Sequence, residues 1–512
     1  MEKKKTVLGS AVLVMIVVLG SKFLGFIRQI VIASTYGADM NTDIYFVSSE
    51  FMINLSGALL ASLTTALVTI YIDIAVKKSK KEANAIASKM LTLFLGASII
   101  FIVLINLFAP YIASILAPSY EMTAHNTLIK YLRFFSITFI FTAFQSIYAA
   151  VLNANNSFVP GKLYGIVYNP IAIIMVALFA SRYGIKALIM AYLLGNIAQT
   201  LLLKFLSRNT FKFKPSFDIK DKTVRHLVML SLPLLLSNIF IQLNGIIDKA
   251  ICSGLGEGYA SNYSYAYTLE QFITATITAT ISLILLSKYA TYVAEGNTKM
   301  VIKTFKESLS GLIILLVPIT VVAISLSYDI VSIVYLRGEF DLTAAKQTSD
   351  ALIGFCVGFG LIAIREMYIR LHFSYQDTKM PMLSNVAAVV VNAVLSIVLA
   401  KFIGIMGISL ATSISIILTI ALLNKSVKKY IPDFKFVSLL KLIIKVLVAC
   451  VPMILVCEVL KGILPFNPIL RFLICSFAAV VIYVIDLKIL RCNEFFEFIM
   501  TVKGQIVNKL KK

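Results

Sequence analysis

Charge is scarce in this sequence. Only 14% of its 512 residues are charged, against about 25% in a typical soluble protein. Acidic residues are the scarcer kind, 25 Asp+Glu against 47 Lys+Arg. So little charge excludes an ordinary soluble enzyme and a disordered chain. Cysteine is sparse too. Cys252, Cys356, Cys450, Cys457, Cys475 and Cys492 fall mostly in apolar stretches and form no CxxC pair, which excludes a disulfide scaffold and reads as small apolar packing residues. The three histidines, His125, His226 and His372, are far apart in sequence and suggest no metal site. No nucleophile triad or metal-binding carboxylate cluster is visible, and no loop assigned to the outer side exceeds roughly 25 residues. A membrane-embedded glycosyltransferase or ligase is therefore disfavoured.

What the chain has is hydrophobic sequence, 59% of it, with a mean hydropathy of +0.91. A spanning helix needs about 20 mostly apolar residues. That criterion places spans at 9–34, 44–73, 89–109, 132–153, 163–181, 185–207, 227–254, 262–289, 307–326, 349–372, 380–402, 405–425, 437–459 and 468–489. The reading is an all-α polytopic membrane protein of about fourteen helices. Gly184 and Gly404/Gly407 mark tight turns within the closely spaced pairs. The N-terminal Met-Glu-Lys-Lys-Lys and the apolar stretch Val7–Leu19 imitate a signal peptide. Ser21–Gly25 makes no clean cleavage site, however, and the segment reads as a retained first span.

The net charge of +22 then needs a place. With the N-terminus in the cytoplasm, and span-end residues counted with the adjoining loop, about 33 of the 47 basic residues fall inside and about 9 outside. The richest inside segments are Lys77–Lys81, Lys204–Arg225 and Lys425–Lys441. Both termini are thus expected in the cytoplasm. The excess charge marks orientation and contact with anionic lipid rather than nucleic acid.

The chain also repeats itself. Gly25-Phe-Ile-Arg28 recurs as Gly245-Ile-Ile-Asp248, and Tyr45-Phe-Val-Ser-Ser-Glu50 as Tyr265-Ala-Tyr-Thr-Leu-Glu270. Ile112-Ala-Ser114 pairs with Ile330-Val-Ser332, Asn169 with Asn392, and Gly184-Ile185 with Gly407-Ile408. The offset covers six spans, an even number, so both copies insert in the same direction about an axis along the membrane normal. The expected organisation is two pseudo-symmetric six-helix lobes, 1–215 and 216–430. Residues 431–512 add spans 13 and 14 and a cytoplasmic tail.

Polar residues inside spans are the candidates for function, because a charge at mid-bilayer costs roughly 2.5–3.5 kcal/mol on insertion scales. The first span carries Lys22 and Arg28. The second has a stripe of Glu50, Asn54, Gly57, Ala61 and Thr65, and the eighth a matching stripe of Tyr267, Gln271, Thr274, Thr278 and Ser282 with Glu270 beside it. Small and hydroxyl stripes are also normal helix-packing faces. The charges Lys22, Arg28, Glu50 and Glu270 read better as lining or gating groups, and Asp43 sits at the outer boundary. Asp248-Lys249 could neutralise each other in the seventh span. Arg365-Glu366 and Arg370 lie in the tenth. Basic groups of this kind suit a phosphate-bearing substrate.

These residues resemble a known family. Gly20-Ser-Lys-Phe-Leu-Gly-Phe-Ile-Arg28 followed by Tyr36-Gly-Ala-Asp-Met-Asn-Thr-Asp43 is similar to the opening of MurJ (MviN) proteins, the lipid II flippases. Arg337-Gly-Glu-Phe340 resembles their RGEF/RGAF outer-loop signature. Arg370 through Phe373-Ser-Tyr-Gln-Asp-Thr-Lys-Met-Pro381 resembles their R-x-F-Y-x-x-Q-D-T-x-x-P loop, with Leu152-Asn153, Phe158 and Pro160 as the first-lobe counterpart. The resemblance covers roughly residues 9–425.

It implies a MOP-superfamily flippase fold with a central cationic cavity, in the bacterial cytoplasmic membrane. Such a protein is a transporter, not an enzyme. It moves undecaprenyl-diphosphate-linked disaccharide-pentapeptide (lipid II) to the outer leaflet by alternating access, with spans 13 and 14 lining a lipid-tail groove. Its expected partners are that lipid-linked oligosaccharide, the phospholipid bilayer and cell-wall synthesis proteins. The implied substrate-binding set is Lys22, Arg28, Asp43, Glu50, Asn54, Glu270, Gln271, Arg365 and Arg370. Some family members hold sodium, and the matching positions are Asp248, Asn392 and Thr412, with Ser396 where a second acid stands. Sodium is the one cofactor suggested. The chain departs from the family where a second-span arginine pair falls on Ser56-Gly57 and an eighth-span arginine on Thr268. That departure keeps open a flippase for another polyprenyl-diphosphate glycan, such as a capsule or wall-polymer unit, and less so a small-molecule exporter.

Overall fold

The computed structural model describes residues 2–218, 220–464 and 467–496; the side chains of 2–12, 237, 241 and 275–287 lie outside that description, as do Thr278 and Ser282 of the eighth-span stripe. Every regular element among the described residues is helical. The order is α1 (Glu2–Tyr36), α2 (Met40–Lys77), α3 (Lys80–Leu116), α4 (Met122–Ser136), α5 (Thr138–Ala154), α6 (Tyr164–Tyr183), α7 (Lys186–Ser207), α8 (Lys222–Ser253), α9 (Tyr259–Ala294), α10 (Thr298–Ser325), α11 (Ser327–Tyr335), α12 (Leu342–Cys356), α13 (Gly358–Ser374), α14 (Lys379–Val427), α15 (Leu440–Ile463) and α16 (Pro468–Ile489).

Twelve helical stretches among the described residues are long and apolar enough to cross a membrane. One of these, α14, runs 49 residues and breaks at Ile403 and Gly404, where the backbone leaves helical φ/ψ, so it is two spans in sequence. The 36-residue α9 adds a further helix of crossing length. The expectation of about fourteen spans stands on this architecture.

The repeat is visible in the backbone at a constant offset of 220. Helices α4 and α5 map onto α12 and α13 end for end. Asn156 (φ 62°) and Gln376 (φ 60°) occupy the same left-handed position after α5 and α13. Each stands in the same loop: Ser157 N donates to Leu152 O at 2.9 Å, and Asp377 N to His372 O at 3.0 Å. The turn glycine Gly184 (φ 55°, ψ −143°) is matched by Gly404 (φ 58°, ψ −138°). The sequence pairing of Gly184 with Gly407 is therefore corrected. Only a residue without Cβ holds this combination of positive φ and strongly negative ψ cheaply, and Gly407 is instead a packing glycine against Leu399 O.

The chain forms two compact units. Unit 1 is 1–265 with 337–341, and unit 2 is 266–336 with 342–512. This is a division by packing, distinct from the repeat-based one at 215. Helix α8 goes with unit 1 because its length packs along α2. The core of unit 1 is built on Leu67, Met90, Leu91, Ile147, Val151 and Leu227. That of unit 2 is built on Phe305, Leu316, Tyr368 and Leu423, extended by Val446 and Cys450 of α15 and by Cys475 and Leu487 of α16. In unit 2 the Arg471 guanidinium of α16 closes on the buried Asp329 of α11.

The connection from α7 to α8 is strapped along α3. Asn84 Nδ2 donates to Thr210 O at 2.9 Å, Lys214 N to Ser88 Oγ at 3.3 Å and Ser216 N to Thr92 Oγ1 at 3.1 Å. Lys89 bonds Asp218 (2.9 Å) and Asp221 (2.7 Å). Its hydrogen bond holds the Asp218 carboxyl below its ordinary range. Burial pushes Asp221 up, but bonds from Lys89 and from the Thr223 and Val224 amides outweigh it and leave that carboxyl low as well. Asp221 also caps α8 through those two amides. One basic residue of α3 thereby sets where α8 begins.

Helix α12 approaches the second half of α14 through Gly354, where a Cβ would stand 2.7 Å from both Leu410 N and Met406 O. Gly354→Ala should cost about 1–3 kcal/mol of strain and lower the thermal unfolding midpoint in detergent. Gly360→Ala, whose Cβ would meet Leu316 Cβ at an ordinary 3.6 Å, should be neutral or mildly stabilising, since alanine is favoured over glycine in a helix.

Candidate functional site

In unit 1 the predicted residues separate into three arrangements. The first surrounds Arg28. Its guanidinium lies over the Tyr168 ring, 5.0 Å from the centroid. Tyr168 is held by its neighbours: it stacks with Tyr164 (5.5 Å), meets Tyr192 edge-on (5.8 Å) and places its hydroxyl 3.3 Å from that of Tyr45. Tyr164 accepts a hydrogen bond from Asn196 Nδ2 at 3.3 Å. Gly195 of α7 lets the ring in, since a Cβ there would fall 2.6 Å from Tyr168 Cδ2. Arg28 itself is half-buried, and its buried Nε has no hydrogen-bond partner. Glu50 acts on it at longer range. A cation over aromatic faces gains about 0.5–2 kcal/mol, yet keeps donors available for an oxyanion.

Helix α1 reaches this position by close packing on α6. Asn169 Nδ2 donates to Ser21 O at 3.0 Å and lies 3.4 Å from where a Gly25 Cβ would be. Small residues at such a seam let two backbones approach. Lys22, on the same helix, is exposed, whereas Gln29, about two turns on, is buried.

The second arrangement joins α2 and α8. Lys249 closes an ion pair with Glu50, and its ammonium stands 5.8 Å from the Phe46 centroid. Glu50, Asn54, Gly245 and Lys249 line a cavity of about 10 Å³, room for one water. The expected neutralisation of Asp248 by Lys249 gives way to this pairing. Consecutive helical residues point about 100° apart, so Lys249 faces α2 while Asp248 accepts from the Tyr263 hydroxyl at 2.8 Å.

Asp43 makes the third. Its carboxylate is fully buried and accepts from Gly258 N (2.7 Å), Ser261 N (2.7 Å) and Ser261 Oγ (2.5 Å). It caps the start of α9 from a distant helix, a use of charge that satisfies orphan amides at a helix N-terminus. The neighbouring outer-loop signature is folded into the same unit. Glu339 N donates to Ser34 O at 3.0 Å, Phe340 meets Tyr265 edge-on at 5.5 Å, and Tyr265 donates to Gly37 O at 2.7 Å. The geometry makes Asp43 a brace, with its oxygens committed to backbone and hydroxyl donors rather than offered to a ligand.

In unit 2, Glu270 is buried and accepts from Gln271 Nε2 at 3.0 Å, which also reaches Tyr267 at 3.1 Å. Thr274 bonds back to Glu270 O, a packing use of the stripe. On α13, Glu366 lies between Arg365 (3.7 Å) and Arg370 (3.4 Å), a ladder with one net positive charge whose two buried Nε atoms lack partners. Asn392 and Thr412 are brought together, Asn392 Nδ2 donating to Thr412 Oγ1 at 3.0 Å. Asn392 Oδ1 is buried without a partner, an oxygen chemically suited to a hard cation. Asp248 lies in unit 1. Among the described residues no group of three His, Cys, Asp or Glu side chains gathers as a metal site.

Reasoning from sequence missed the tyrosine cluster. Its one local signal is the Tyr164/Tyr168 spacing, which puts both rings on one helix face.

Comparison places this architecture. A solved multidrug-resistance MATE transporter of the MOP superfamily, in an inward-facing conformation, aligns over 82% of this chain and 98% of its own at 13% identity and a TM-score of 0.66. The fold is thus that of MOP-superfamily membrane transporters. A solved structure described as lipid II flippase MurJ in an inward closed conformation aligns over 94% of this chain and 99% of its own, at 24% identity and a TM-score of 0.81. The family model for lipid II flippase MurJ matches residues 32–473. A probable lipid II flippase MurJ of Thermotoga maritima is 24% identical over 94% of this chain and 96% of its own. One from Vibrio cholerae is 24% identical over 82% and 83%. The chain belongs to the MurJ lipid II flippase family, and it is a multi-pass membrane transporter rather than an enzyme.

Breaking the α2–α8 ion pair should cost more than removing it. Glu50→Gln alone should lose roughly 2–3 kcal/mol by stranding Lys249, lowering the unfolding midpoint in detergent. Glu50→Gln with Lys249→Met should recover most of that loss. An additive double variant would show that the two charges act independently.

Proposed function

We infer that this chain moves lipid II from the cytoplasmic to the outer leaflet by alternating access. Family membership over residues 32–473 supports the substrate, and the relatives matched do not favour the alternative of another polyprenyl-linked glycan. The observation that carries the reading is Arg28: a membrane-embedded cation held over a tyrosine face, partly buried, with its buried Nε donor left unpartnered. In that state it is built to take a diphosphate, which accepts several charge-assisted bonds from a guanidinium. Lys22 adds a second cation on α1. Glu50 and Asn54 offer an acceptor and an amide to the sugar hydroxyls. In unit 2, Gln271 with Glu270, and Arg365 with Arg370, are the further members of the proposed substrate-binding set.

The basic-residue asymmetry supports cytoplasmic termini in a bacterial plasma membrane. Cell-wall synthesis proteins on either face are the partners such a substrate requires. The unpartnered Asn392 Oδ1, on the amide that donates to the Thr412 hydroxyl, supports sodium as a coupling ion. Asn392→Ala should then abolish any sodium-dependent rise in unfolding temperature, and an equal rise in the variant would dismiss this site.

Expressed in cells depleted of their own lipid II flippase, the chain should restore growth. Arg28→Ala should lose rescue at unchanged membrane abundance, and Arg28→Lys should keep part of it. Full rescue by Arg28→Ala would refute diphosphate binding at this residue.

A further inference from the structure

Unit 2 holds a cavity of about 400 Å³ apart from every residue discussed above as a substrate or ion ligand, a volume in the range of small-ligand sites. Four helix ends build it: the end of α10, the start of α11, the first turns of α12 and the last turns of α15. Its lining is graded along the membrane normal. At the end of α10, Ser325 lies one turn beyond Val321. On α12, Ser349 lies one turn and Lys346 two turns before Ile353. On α15, Glu458 lies one turn and Lys461 two turns beyond Ile454. Each helix thus presents an apolar residue deeper in the bilayer and polar groups about 6 Å or more closer to its surface. Tyr328 stands at the rim, 37% exposed, and Ile454 and Leu455 open toward lipid.

Such a gradient matches an amphiphile lying along the bilayer normal. The two cations at the rim are held by weak local contacts: Lys346 pairs with Asp350 at 2.5 Å and Lys461 with Glu458 at 2.6 Å. Both are pairs of partly exposed side chains within one helix, of a kind that contributes little, and each ammonium has further donors for a phosphodiester oxygen. Ser325 stands near the rim, while Ser327 and Ser349 are buried beneath it, their Oγ atoms 3.0 Å apart in a hydrogen bond.

We propose that this cavity is a binding site for an anionic glycerophospholipid of the surrounding bilayer, phosphatidylglycerol by chemistry. The phosphodiester sits between Lys346 and Lys461. The headgroup glycerol hydroxyls meet Ser325 and Glu458, and an acyl chain lies over Val321, Ile353 and Ile454. With the termini in the cytoplasm, these helix ends face the outer leaflet. The site is independent of the flipping reading, because it is tested by binding alone. It would place a resident lipid against α15, one of the two helices that follow the repeat.

The experiment titrates phosphatidylglycerol and phosphatidylcholine into the delipidated full-length chain in detergent, reading retained lipid by native mass spectrometry and unfolding temperature in parallel. Phosphatidylglycerol should bind at least tenfold more tightly than phosphatidylcholine, whose headgroup lacks hydroxyls and net charge. Lys346→Ala/Lys461→Ala should erase that preference, and Ile454→Trp should weaken retention of both lipids while leaving both lysines in place. Arg28→Ala should leave the preference intact. Equal binding of the two lipids, an unchanged preference in the double lysine variant, or displacement of phosphatidylglycerol by equimolar undecaprenyl phosphate would each overturn the proposal.

Discussion

The cost of charge in hydrocarbon organises this molecule. Each ionised side chain in a span must find a partner, an aromatic face or water. The chain answers differently at each place. Lys249 and Glu50 cancel across α2 and α8. Asp329 takes Arg471. Asp43 is satisfied by hydrogen bonds from the Gly258 and Ser261 amides and the Ser261 hydroxyl and serves as a helix cap. Arg28 has aromatic faces, with a carboxylate only at longer range. That exception is what makes it available to a ligand. An arginine closed on a carboxylate would have to break that pair before binding a diphosphate.

The tyrosine cluster explains how Arg28 can stay unpaired without destabilising the fold. Tyr168 cannot move, because Tyr164, Tyr192 and Tyr45 contact it on several sides and Gly195 fixes its depth. The guanidinium therefore lies over a well-packed platform. Preorganisation of this kind lowers the ordering cost of binding. It also bears on Ser56, Gly57 and Thr268, where the family resemblance leads one to expect arginine. Lys249 supplies charge from α8 instead, moderated by Glu50.

Much of the fold was legible in the sequence, because hydropathy and span length are local properties. The repeat was legible too, and the backbone sharpened it. Two loops with left-handed Asn156 and Gln376, and two turns with Gly184 and Gly404, repeat at one offset. The site was less legible. Arg28, Glu50 and Asn54 could be picked out, because a polar residue in an apolar run announces itself. Their partners could not. Which side chain answers Lys249 depends on the rotation of α8 against α2, so adjacency to Asp248 misled. Asp43 looked like a boundary charge because nothing local shows that α9 starts beside it. The tyrosines come from α2, α6 and α7, and only packing assembles them.

The central claim is that Arg28, left without an ion-pair partner, recognises the diphosphate of the substrate. The most direct test is equilibrium binding of lipid II, and of an analogue with its diphosphate replaced by an uncharged linkage, to the wild-type chain and to Arg28→Gln in detergent. The wild type should prefer the natural lipid at least tenfold, about 1.4 kcal/mol, and Arg28→Gln should bind both alike. An undiminished preference in Arg28→Gln would contradict the account and move diphosphate recognition to another residue.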